Sequence, residues 1–530
     1  MRPFPASRLP RPTWAFFAAL ALLAIAGGGL LFYATPQGLG LNDDSIAYVA
    51  GARSLLEGRG YREIWIVSAG PVTHFPPGFP TTLAFTSLVT NIDPLRAARL
   101  LNILLFGLNT FLMGWLALRM TQSRVVGLLT AAFFLLTPSL LKIHSNAMSE
   151  PLYVFFTLVT FLLLDFYFSP HPLPLREAPQ WGSRIRERGW GEGLLFAAGL
   201  ITSLAFLTRY AALALLATGV VALVILHKEW RKRLVSAGIY LAGFVPFVLA
   251  WTIRNRIVGG TVTNRAIGWH PIVESNARTG IRTFSEFLVP IQSWQLSLIK
   301  IDGLFEIILI ALALGLLAWT LKAGLPRFFQ PEKNPQPEVI SFLNGLYIFG
   351  YFLSLVVTMT FFDPATKFQL RIISPMLVSL LLLLAFGLKT VAGPGPGKRI
   401  TLGLAVVLLA VSAVGMSESL VDLRHGGQVY ANERWYDAPA IAELRKLPAE
   451  VVIHSNQPGV IYLYVERPGG LLPETIESAN ELQEQVRAGK AVIVIFREAN
   501  LDEATAAYYE ALGQGLRIEK YNGDVIYSAP

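Results

Sequence analysis

Two adjacent carboxylates, Asp43 and Asp44, begin a helical pattern in the stretch GLNDDSIAY, just after a long apolar run. Asp44 fits a helix N-cap position, where a carboxylate accepts backbone N–H bonds. Capping would account for one acid and leave the other unexplained. Near a bilayer surface, partial desolvation raises a carboxylate's pKa toward the working pH, which suits the group to act as a general base. We therefore treat both acids as candidate proton acceptors.

Two further segments place polar residues beside apolar runs. The segment THFPPGFPTTLAF carries His74, a rigid Pro-Pro-Gly turn and a returning apolar run, which predicts a loop that dips back to the membrane surface and lines a cavity. Glu150 stands directly before Pro151 at the start of another apolar run. It either lines the same cavity or stabilises the N-terminus of its own helix.

Three basic residues near the ends of apolar runs are candidates for binding a phosphate. Arg371 lies in KFQLRIISP, with Lys367 one helical turn earlier, and Arg209 is followed by Tyr210 between two runs. An arginine fork can engage phosphate oxygens in two directions. The alternative is that these side chains only extend to the lipid headgroups.

The histidines and acids form no metal-binding motif, because their spacing is not fixed. His74 and Asp43 are the weak candidates for metal ligands, and His144 beside Lys142 is typical of a hydrogen-bonded residue. The absence of cysteine excludes disulfides, thiolate zinc sites and a cysteine nucleophile. No cofactor is required by the sequence, and a divalent metal stays an option.

The elements that position these residues are membrane spans. The 530-residue chain is 53% hydrophobic and only 15% charged, whereas a soluble chain is about a quarter charged. Apolar runs long enough to cross hydrocarbon predict a polytopic α-helical membrane protein of about eleven spans. These are Thr13–Tyr33, Ala97–Leu118, Val125–Leu141, Pro151–Phe168, Gly193–Thr208, Ala211–Leu226, Leu234–Ile253, Leu304–Leu321, Val339–Phe361, Ile372–Leu388 and Ile400–Met416.

Short basic clusters between the runs set the orientation. The net charge of +9 is explained by these clusters, with anionic lipids as neighbours and no nucleic-acid partner. A cytoplasmic N-terminus in a plasma (inner) membrane places every cluster inside, and eleven spans then place the C-terminus outside. The outer side receives a loop at 34–96 and a loop at 254–300. The clusters are Arg2, Arg8 and Arg11; Arg184, Arg186 and Arg188; Lys228, Arg231, Lys232 and Arg233; and Lys398 and Arg399.

The chain divides by composition into a membrane domain at 1–417 and a small extracytoplasmic α/β domain at 418–530. In the second part, short apolar runs alternate with helical patterns, which is typical of a soluble α/β fold. The predicted strands are Val451–His454, Ala491–Phe496, Leu516–Lys520 and Val525–Ser528, and the predicted helices are Ala438–Leu447, Ala479–Ala488 and Leu501–Leu512.

Several of these motifs together resemble the GT-C glycosyltransferases of family 39, the protein O-mannosyltransferases and aminoarabinose transferases. Asp44 and Tyr48 form the D-x-x-x-Y pattern of the first outer loop, followed by ARSLLEGRGY and HFPPGFP. SNAMSEPLYVFF, LTRYAALALL and FDPATKFQLRIISPMLV follow in the family's order. The tail segment VVIHSNQPGVIYLYVERPGGLLP is similar to the domains that close many bacterial members.

The resemblance implies an integral-membrane enzyme that moves a sugar from a polyprenyl (undecaprenyl) phosphate carrier to a lipid, glycan or protein acceptor on the outer face, with inversion. It implies that Asp44 is the general base and that Glu150 lines its cavity. Arg371, Lys367 and Arg209 would bind the donor phosphate, and Tyr48, His74 and Tyr210 would line the substrate pocket. Ser45 stands where many members carry Glu, so Asp43 is a candidate replacement for that second acid.

Two other classes of protein remain alternatives. A flippase or transporter of lipid-linked sugars usually shows paired halves and charges near the bilayer midplane. Here the acids cluster on one face and no half is duplicated. A non-catalytic membrane subunit whose tail binds partners is the third reading.

Overall fold

The computed structural model describes residues 14–169, 180–262, 267–301, 303–392, 396–473, 475–497 and 502–530. Its α-helices are α1 (Trp14–Ala34), α2 (Asp43–Leu56), α3 (Gly78–Thr90), α4 (Pro94–Thr121), α5 (Arg124–Leu136), α6 (Pro138–His144), α7 (Glu150–Phe168), α8 (Gln180–Thr208), α9 (Leu213–Leu226), α10 (Trp230–Gly259), α11 (Glu274–Leu288), α12 (Gln292–Leu298), α13 (Leu304–Phe329), α14 (Val339–Phe361), α15 (Leu370–Ala392), α16 (Pro396–Arg424), α17 (Pro439–Leu444), α18 (Pro458–Val460), α19 (Ile476–Arg487) and α20 (Glu503–Leu512). The strands are β1 (Val452–Ser455), β2 (Gly470–Leu471), β3 (Ala491–Ile495), β4 (Arg517–Tyr521) and β5 (Asp524–Ser528).

The predicted membrane helices are present, but two of the eleven runs are not single straight spans. Nine helices of the described residues are long and apolar enough to cross a membrane, and α5 with α6 makes a tenth if that pair, bent by 62°, is one span. The bend falls at Thr137, whose extended backbone (φ −81°, ψ 113°) is the conformation that a following proline favours. The run at 211–226 forms a shorter apolar helix with a 3₁₀ turn at Tyr210–Ala212.

Some predicted features fall outside what the structure describes. Arg2, Arg8 and Arg11 precede the described residues, Leu501 falls in a gap, and the side chains of Arg184, Arg186 and Arg188 are likewise not described. The segment at 254–300, predicted as a loop, contains the helices α11 and α12.

Contacts divide the chain into two compact units. The first contains α1, Thr73–Phe79 and Leu100–Asp422, and its core is helical. Within it α8 and α10 approach closely at glycines: a Cβ on Gly199 would lie 2.0 Å from the Tyr240 carbonyl oxygen, and one on Gly243 would lie 2.3 Å from that of Phe196. Larger residues would force these two helices apart.

The second unit contains Thr35–Val72, Pro80–Arg99 and Leu423–Pro530. Its sheet has the strand order β2-β1-β3-β5-β4, with β1 parallel to β2 and β3 and with β5 antiparallel to β3 and β4. The α/β character predicted for the C-terminal part is therefore confirmed, and the short strand β2 was not predicted. The helix predicted at Ala438–Leu447 is shorter, since α17 ends at Leu444.

Segments from the first loop and the C-terminal part share that second unit. Leu41 forms a parallel bridge with Val429, and Ile66 forms one with Gly469. Helix α2 is also fixed by Arg53, whose Nε and Nη2 donate to the two carboxylate oxygens of Asp93 at 2.8 and 2.9 Å. The predicted boundary after residue 417 divides the chain at a single point, whereas the second unit also includes segments of the first loop. The division into a membrane domain and an extracytoplasmic domain stays a prediction.

Candidate functional site

Helix α2 begins with its two acids in the first turn. Its N-cap is Asn42, whose Oδ1 accepts from the Ser45 backbone N–H at 3.1 Å and from the Ser45 hydroxyl at 3.0 Å. The prediction that Asp44 caps the helix is therefore wrong, because Asn caps a helix as well as Asp does and the helix starts earlier. Neither acid is needed as the cap, although both charges favour the positive end of the helix.

Asp43 is held by a residue from the far end of the chain. Its Oδ1 accepts from the Tyr430 hydroxyl at 2.8 Å. The residue as a whole is exposed, yet protein atoms surround its carboxyl group, and this desolvation raises its pKa. The Tyr430 hydrogen bond lowers that pKa, and the neighbouring charge of Asp44 raises it. The net result is a raised pKa in a pair of adjacent carboxylates.

Asp44 and Tyr48 lie one helical turn apart, on the same side of α2. Asp44 is half-buried, and Tyr48 is buried with 5% of its surface exposed. The same unit thus contains Asp43, Asp44 and Tyr48, which are three of the predicted site residues. The others, His74, Glu150, Arg209, Tyr210, Lys367 and Arg371, belong to the first unit.

Within the first unit the structure brings Glu150 and Arg209 together. Arg209 Nη1 donates to Glu150 Oε1 at 2.6 Å and to the Ser149 hydroxyl at 3.1 Å. The Glu150 side chain is fully buried, and that of Arg209 is 17% exposed. Glu150 Oε2 is buried with no hydrogen-bond partner among the described residues. Sequence reasoning found both residues but not their pairing.

Three buried tyrosines form a cluster that reaches this ion pair through Tyr351, and none of them was predicted as a site residue. Arg209 also interacts with Tyr351, whose hydroxyl donates to the Ile372 carbonyl at 2.8 Å. The hydroxyls of Tyr153 and Tyr347 lie 2.8 Å apart. The sequence feature that could have identified them is a tyrosine inside an apolar span, because a buried hydroxyl requires a hydrogen-bond partner.

Arg371 lies at the start of α15, one residue before the carbonyl that Tyr351 contacts. It is half-buried, whereas Lys367 is exposed. The prediction that Lys367 lies one helical turn before Arg371 is wrong, because α15 begins at Leu370 and Lys367 precedes the helix. The loop before α15 is fixed by the Asn276 side chain of α11, which accepts from the Phe368 backbone N–H at 2.8 Å.

The segment that carries His74 contacts the turn that carries Tyr210. The Thr73 carbonyl accepts from the Tyr210 hydroxyl at 3.4 Å and from Asn255 Nδ2 at 3.1 Å. Gly78 permits the close approach, because a Cβ there would lie 2.6 Å from the Leu207 carbonyl oxygen. His74 and Tyr210 are thus on neighbouring segments, as a shared pocket would require.

In the part of the chain that the structure describes, no group of three or more histidines and acids is arranged to hold a metal ion. His144 is buried, with Nδ1 at 2.8 Å from the Leu140 carbonyl oxygen and Nε2 at 3.1 Å from Asn109 Nδ2. Both ring nitrogens therefore have protein partners. The weak metal candidates His74 and Asp43 gain no further ligand from the described residues.

Comparisons with known proteins find a family model that matches part of the chain and solved structures that share its fold. Residues 66–257 match the family model of dolichyl-phosphate-mannose-protein mannosyltransferase. No curated protein sequence matches the chain. The chain is similar in structure to ArnT from Cupriavidus metallidurans bound to undecaprenyl phosphate, with 14% identity, a TM-score of 0.57 and coverage of 98% of this chain and 99% of that one.

Two other solved structures share the fold. The oligosaccharyltransferase of Archaeoglobus fulgidus is 12% identical, with a TM-score of 0.56, over 91% of this chain and 70% of that one. The arabinofuranosyltransferase AftD from Mycobacteria, as its R1389S mutant, is 15% identical, with a TM-score of 0.51, over 96% of this chain and 41% of that one. At these identities the structural matches show the fold. Together with the family match over residues 66–257 they confirm the predicted resemblance: the chain has the GT-C fold, and part of it matches a glycosyltransferase family model.

Proposed function

We propose that this chain transfers a sugar from a polyprenyl-phosphate carrier to an acceptor on the outer face of the plasma membrane. It has a GT-C fold, and its residues 66–257 match a glycosyltransferase family model. The observation that supports this most strongly is the family match, which extends from the first loop to α10. The fold shared with a transferase structure bound to undecaprenyl phosphate supports the same class of donor. The acceptor is a lipid, glycan or protein hydroxyl or amine.

In the proposed reaction, Asp44 is the general base. The acceptor oxygen or nitrogen attacks the anomeric carbon as the bond from that carbon to the phosphate oxygen breaks, and the phosphate leaves with the bonding electrons. Asp44 takes the acceptor's proton, and a single displacement inverts the anomeric carbon. Asp43, whose pKa is raised beside it by desolvation, supplies the second carboxylate that Ser45 does not provide.

The leaving phosphate requires positive charge. Arg371 at the start of α15 and Lys367 before it are the cations that we assign to this role. Fixed positive groups stabilise the negative charge that develops as the phosphate departs. Arg209 is engaged by Glu150, which balances its charge, so its contribution to phosphate binding is secondary. The pair and Tyr351 would instead shape the donor side, with His74 and Tyr210 of the same unit as lining residues. Tyr48, one helical turn after Asp44 on α2, would contact the acceptor.

A transfer assay tests this function against the alternative of a transporter. Purified protein in liposomes receives a polyprenyl-phosphate sugar with a labelled sugar, together with a candidate acceptor pool from the cell envelope. We expect the label to move to the acceptor and the free polyprenyl phosphate to accumulate in equal amount. Movement of the intact carrier between leaflets without transfer would support the flippase. If neither transfer nor carrier movement occurs, the result would support a non-catalytic subunit.

The proposed orientation predicts which surface positions are accessible from outside the cell. The chain contains no cysteine, so single cysteines report without background. We expect cysteines at the exposed positions Ser293 and Asn480 to react with an impermeant thiol reagent in intact cells, and one at Lys398 to react only after permeabilisation. The reverse pattern would place the acids on the cytoplasmic side.

The contact between Tyr430 and Asp43 predicts a change in pH dependence. The Tyr430 hydroxyl lowers the pKa of Asp43, so Tyr430→Phe should raise that pKa further. In the proposal Asp43 acts in its ionised form, and the acid limb of the pH–rate profile should therefore move to higher pH. The loss of turnover should be less than about tenfold and greatest at low pH.

Tyr464→Phe is the matched control for Tyr430→Phe. It removes a hydroxyl that donates to the Tyr430 carbonyl at 2.6 Å and leaves Asp43 untouched. Its pH profile should keep the wild-type shape. An unchanged acid limb in Tyr430→Phe would contradict a role for ionised Asp43.

A further inference from the structure

A basic cavity lies at the end of α13, in the first unit. It has a volume of about 530 Å³ and is lined by the charged residues Lys228, Arg327, Glu332 and Lys333 and by uncharged residues between 331 and 336. Lys228 Nζ pairs with Glu332 Oε2 at 2.9 Å. Glu332 also attracts Arg327, but it is the one acid beside three basic residues in this lining, so the cavity is positive.

Arg327 makes this cavity more than a patch of surface lysines. Only 3% of the residue is exposed. Its Nη1 donates to the Asn334 carbonyl at 2.8 Å and its Nη2 to the Leu226 carbonyl at 2.7 Å, while Nε is buried with no hydrogen-bond partner in the described part of the chain. A guanidinium held by neutral carbonyls is fixed in place and keeps its full charge, which favours an anion nearby.

The surrounding residues add to the positive potential. Arg233 of α10 is 6% exposed and donates to the carbonyls of His227 and Phe328. Desolvation lowers the pKa of His227 to about 4, and the charges of Lys232, Arg327 and Arg233 lower it in the same direction. The charge of Glu229 raises that pKa. Two acids, Glu229 and Glu332, thus face five cations in this region, namely Lys228, Lys232, Arg233, Arg327 and Lys333.

The exposed face of α13 favours a membrane lipid as the source of the anion. Leu321, Leu325 and Phe329 recur at one-turn intervals and are 50%, 54% and 70% exposed. This apolar stripe of a candidate membrane span ends at Phe329, two residues before the cavity lining resumes at Pro331. Trp230 is 60% exposed, with Arg233 over its ring at 5.6 Å, as is typical of a side chain at a membrane surface. Acyl chains can lie along this stripe while a headgroup enters the cavity.

We propose that this cavity binds the phosphate of an anionic membrane lipid, with Arg327 and Lys333 as its principal contacts. Basic pockets between membrane helices are suited to such headgroups. The site is separate from the residues assigned to sugar transfer and does not depend on that assignment. A free phosphate offers the same chemistry, but it would gain nothing from the apolar stripe.

The test is a thermal-stability titration of the purified full-length protein in zwitterionic detergent. We expect phosphatidylglycerol to raise the melting temperature saturably, and phosphatidylcholine and inorganic phosphate to have little effect, because a ligand that binds the folded state stabilises it. Equal stabilisation by phosphatidylcholine would overturn the anion site. Saturation by inorganic phosphate, with competition against phosphatidylglycerol, would overturn the lipid as its source.

The variant for this test is Lys228→Gln/Lys333→Gln, whose positions are exposed, so that the fold is retained. Each basic charge near an anionic headgroup contributes about fivefold to the affinity. The half-saturating phosphatidylglycerol concentration should therefore rise by about 25-fold when two are removed. Lys389→Gln/Lys398→Gln removes the same charge from exposed positions that do not line the cavity, and it should titrate like the wild type. Equal titration curves for the two double variants would overturn the site.

Discussion

Asp44→Asn should lower the rate of sugar transfer by about 10²–10⁴-fold while the protein keeps its fold and its affinity for the carrier. The factor is the usual contribution of a general base, and an amide cannot accept the acceptor's proton. The structure makes this substitution informative because Asn42, and not Asp44, caps α2. The helix therefore keeps its cap and loses one favourable first-turn charge, which contributes about 0.3–1 kcal/mol.

Asp43→Asn is the matched control for this experiment. It makes the same change of charge in the same helical turn, at a carboxylate that Tyr430 already engages. We expect a clearly smaller loss of rate than for Asp44→Asn, with melting temperatures of the two variants alike. Measured single-turnover rates with a labelled carrier separate chemistry from binding. If Asp43→Asn stops transfer and Asp44→Asn does not, the two roles are exchanged; if both retain wild-type rates, no base lies in this turn.

Long apolar runs made the membrane helices predictable, since each run is itself the physical requirement for crossing hydrocarbon. Ends and breaks were less predictable. Asn42 and Asp44 have similar intrinsic preference for the N-cap, and the choice of Asn42 goes with a hydrogen bond from the Tyr430 backbone N–H to the Leu41 carbonyl, far along the chain. Pro138, the residue at the bend, is visible in the sequence, but the apolar run on both sides of it favoured a single straight span.

The partners of the site residues could not be read from their spacing. Tyr430 and Asp43 are 387 positions apart, and Arg209 and Glu150 are 59 apart. Residue types alone predicted that Glu150 and Arg209 each act on a ligand, whereas in the folded chain the two charges form an ion pair. Such pairings depend on helix packing, for which a single sequence carries no local signal.

Breaking the Glu150–Arg209 pair should be the most destabilising single change among the predicted site residues. Glu150→Leu leaves a largely buried guanidinium without its counter-ion, and the removal of one partner from a buried ion pair costs about 3–5 kcal/mol. Arg209→Met should cost a similar amount, because it leaves the fully buried carboxylate uncompensated. Reversible unfolding in mixed micelles measures the free energy of unfolding. Glu274→Gln, which breaks an ion pair whose side chains are both 77% exposed, should change it by less than about 1 kcal/mol.

The double variant Glu150→Leu/Arg209→Met separates the structural role of this pair from its role in transfer. Replacing both charges by apolar groups of similar volume should recover most of the lost stability, because neither charge is then left alone. Sugar transfer should not recover with it, since Glu150 Oε2, which has no hydrogen-bond partner among the described residues, is the oxygen that we expect to face substrate. A double variant that regains both stability and transfer would show that the pair serves the fold alone and would remove Glu150 from the catalytic set. One that regains stability without transfer would place the requirement in the carboxylate and guanidinium themselves, since the packing around Tyr351 would be intact.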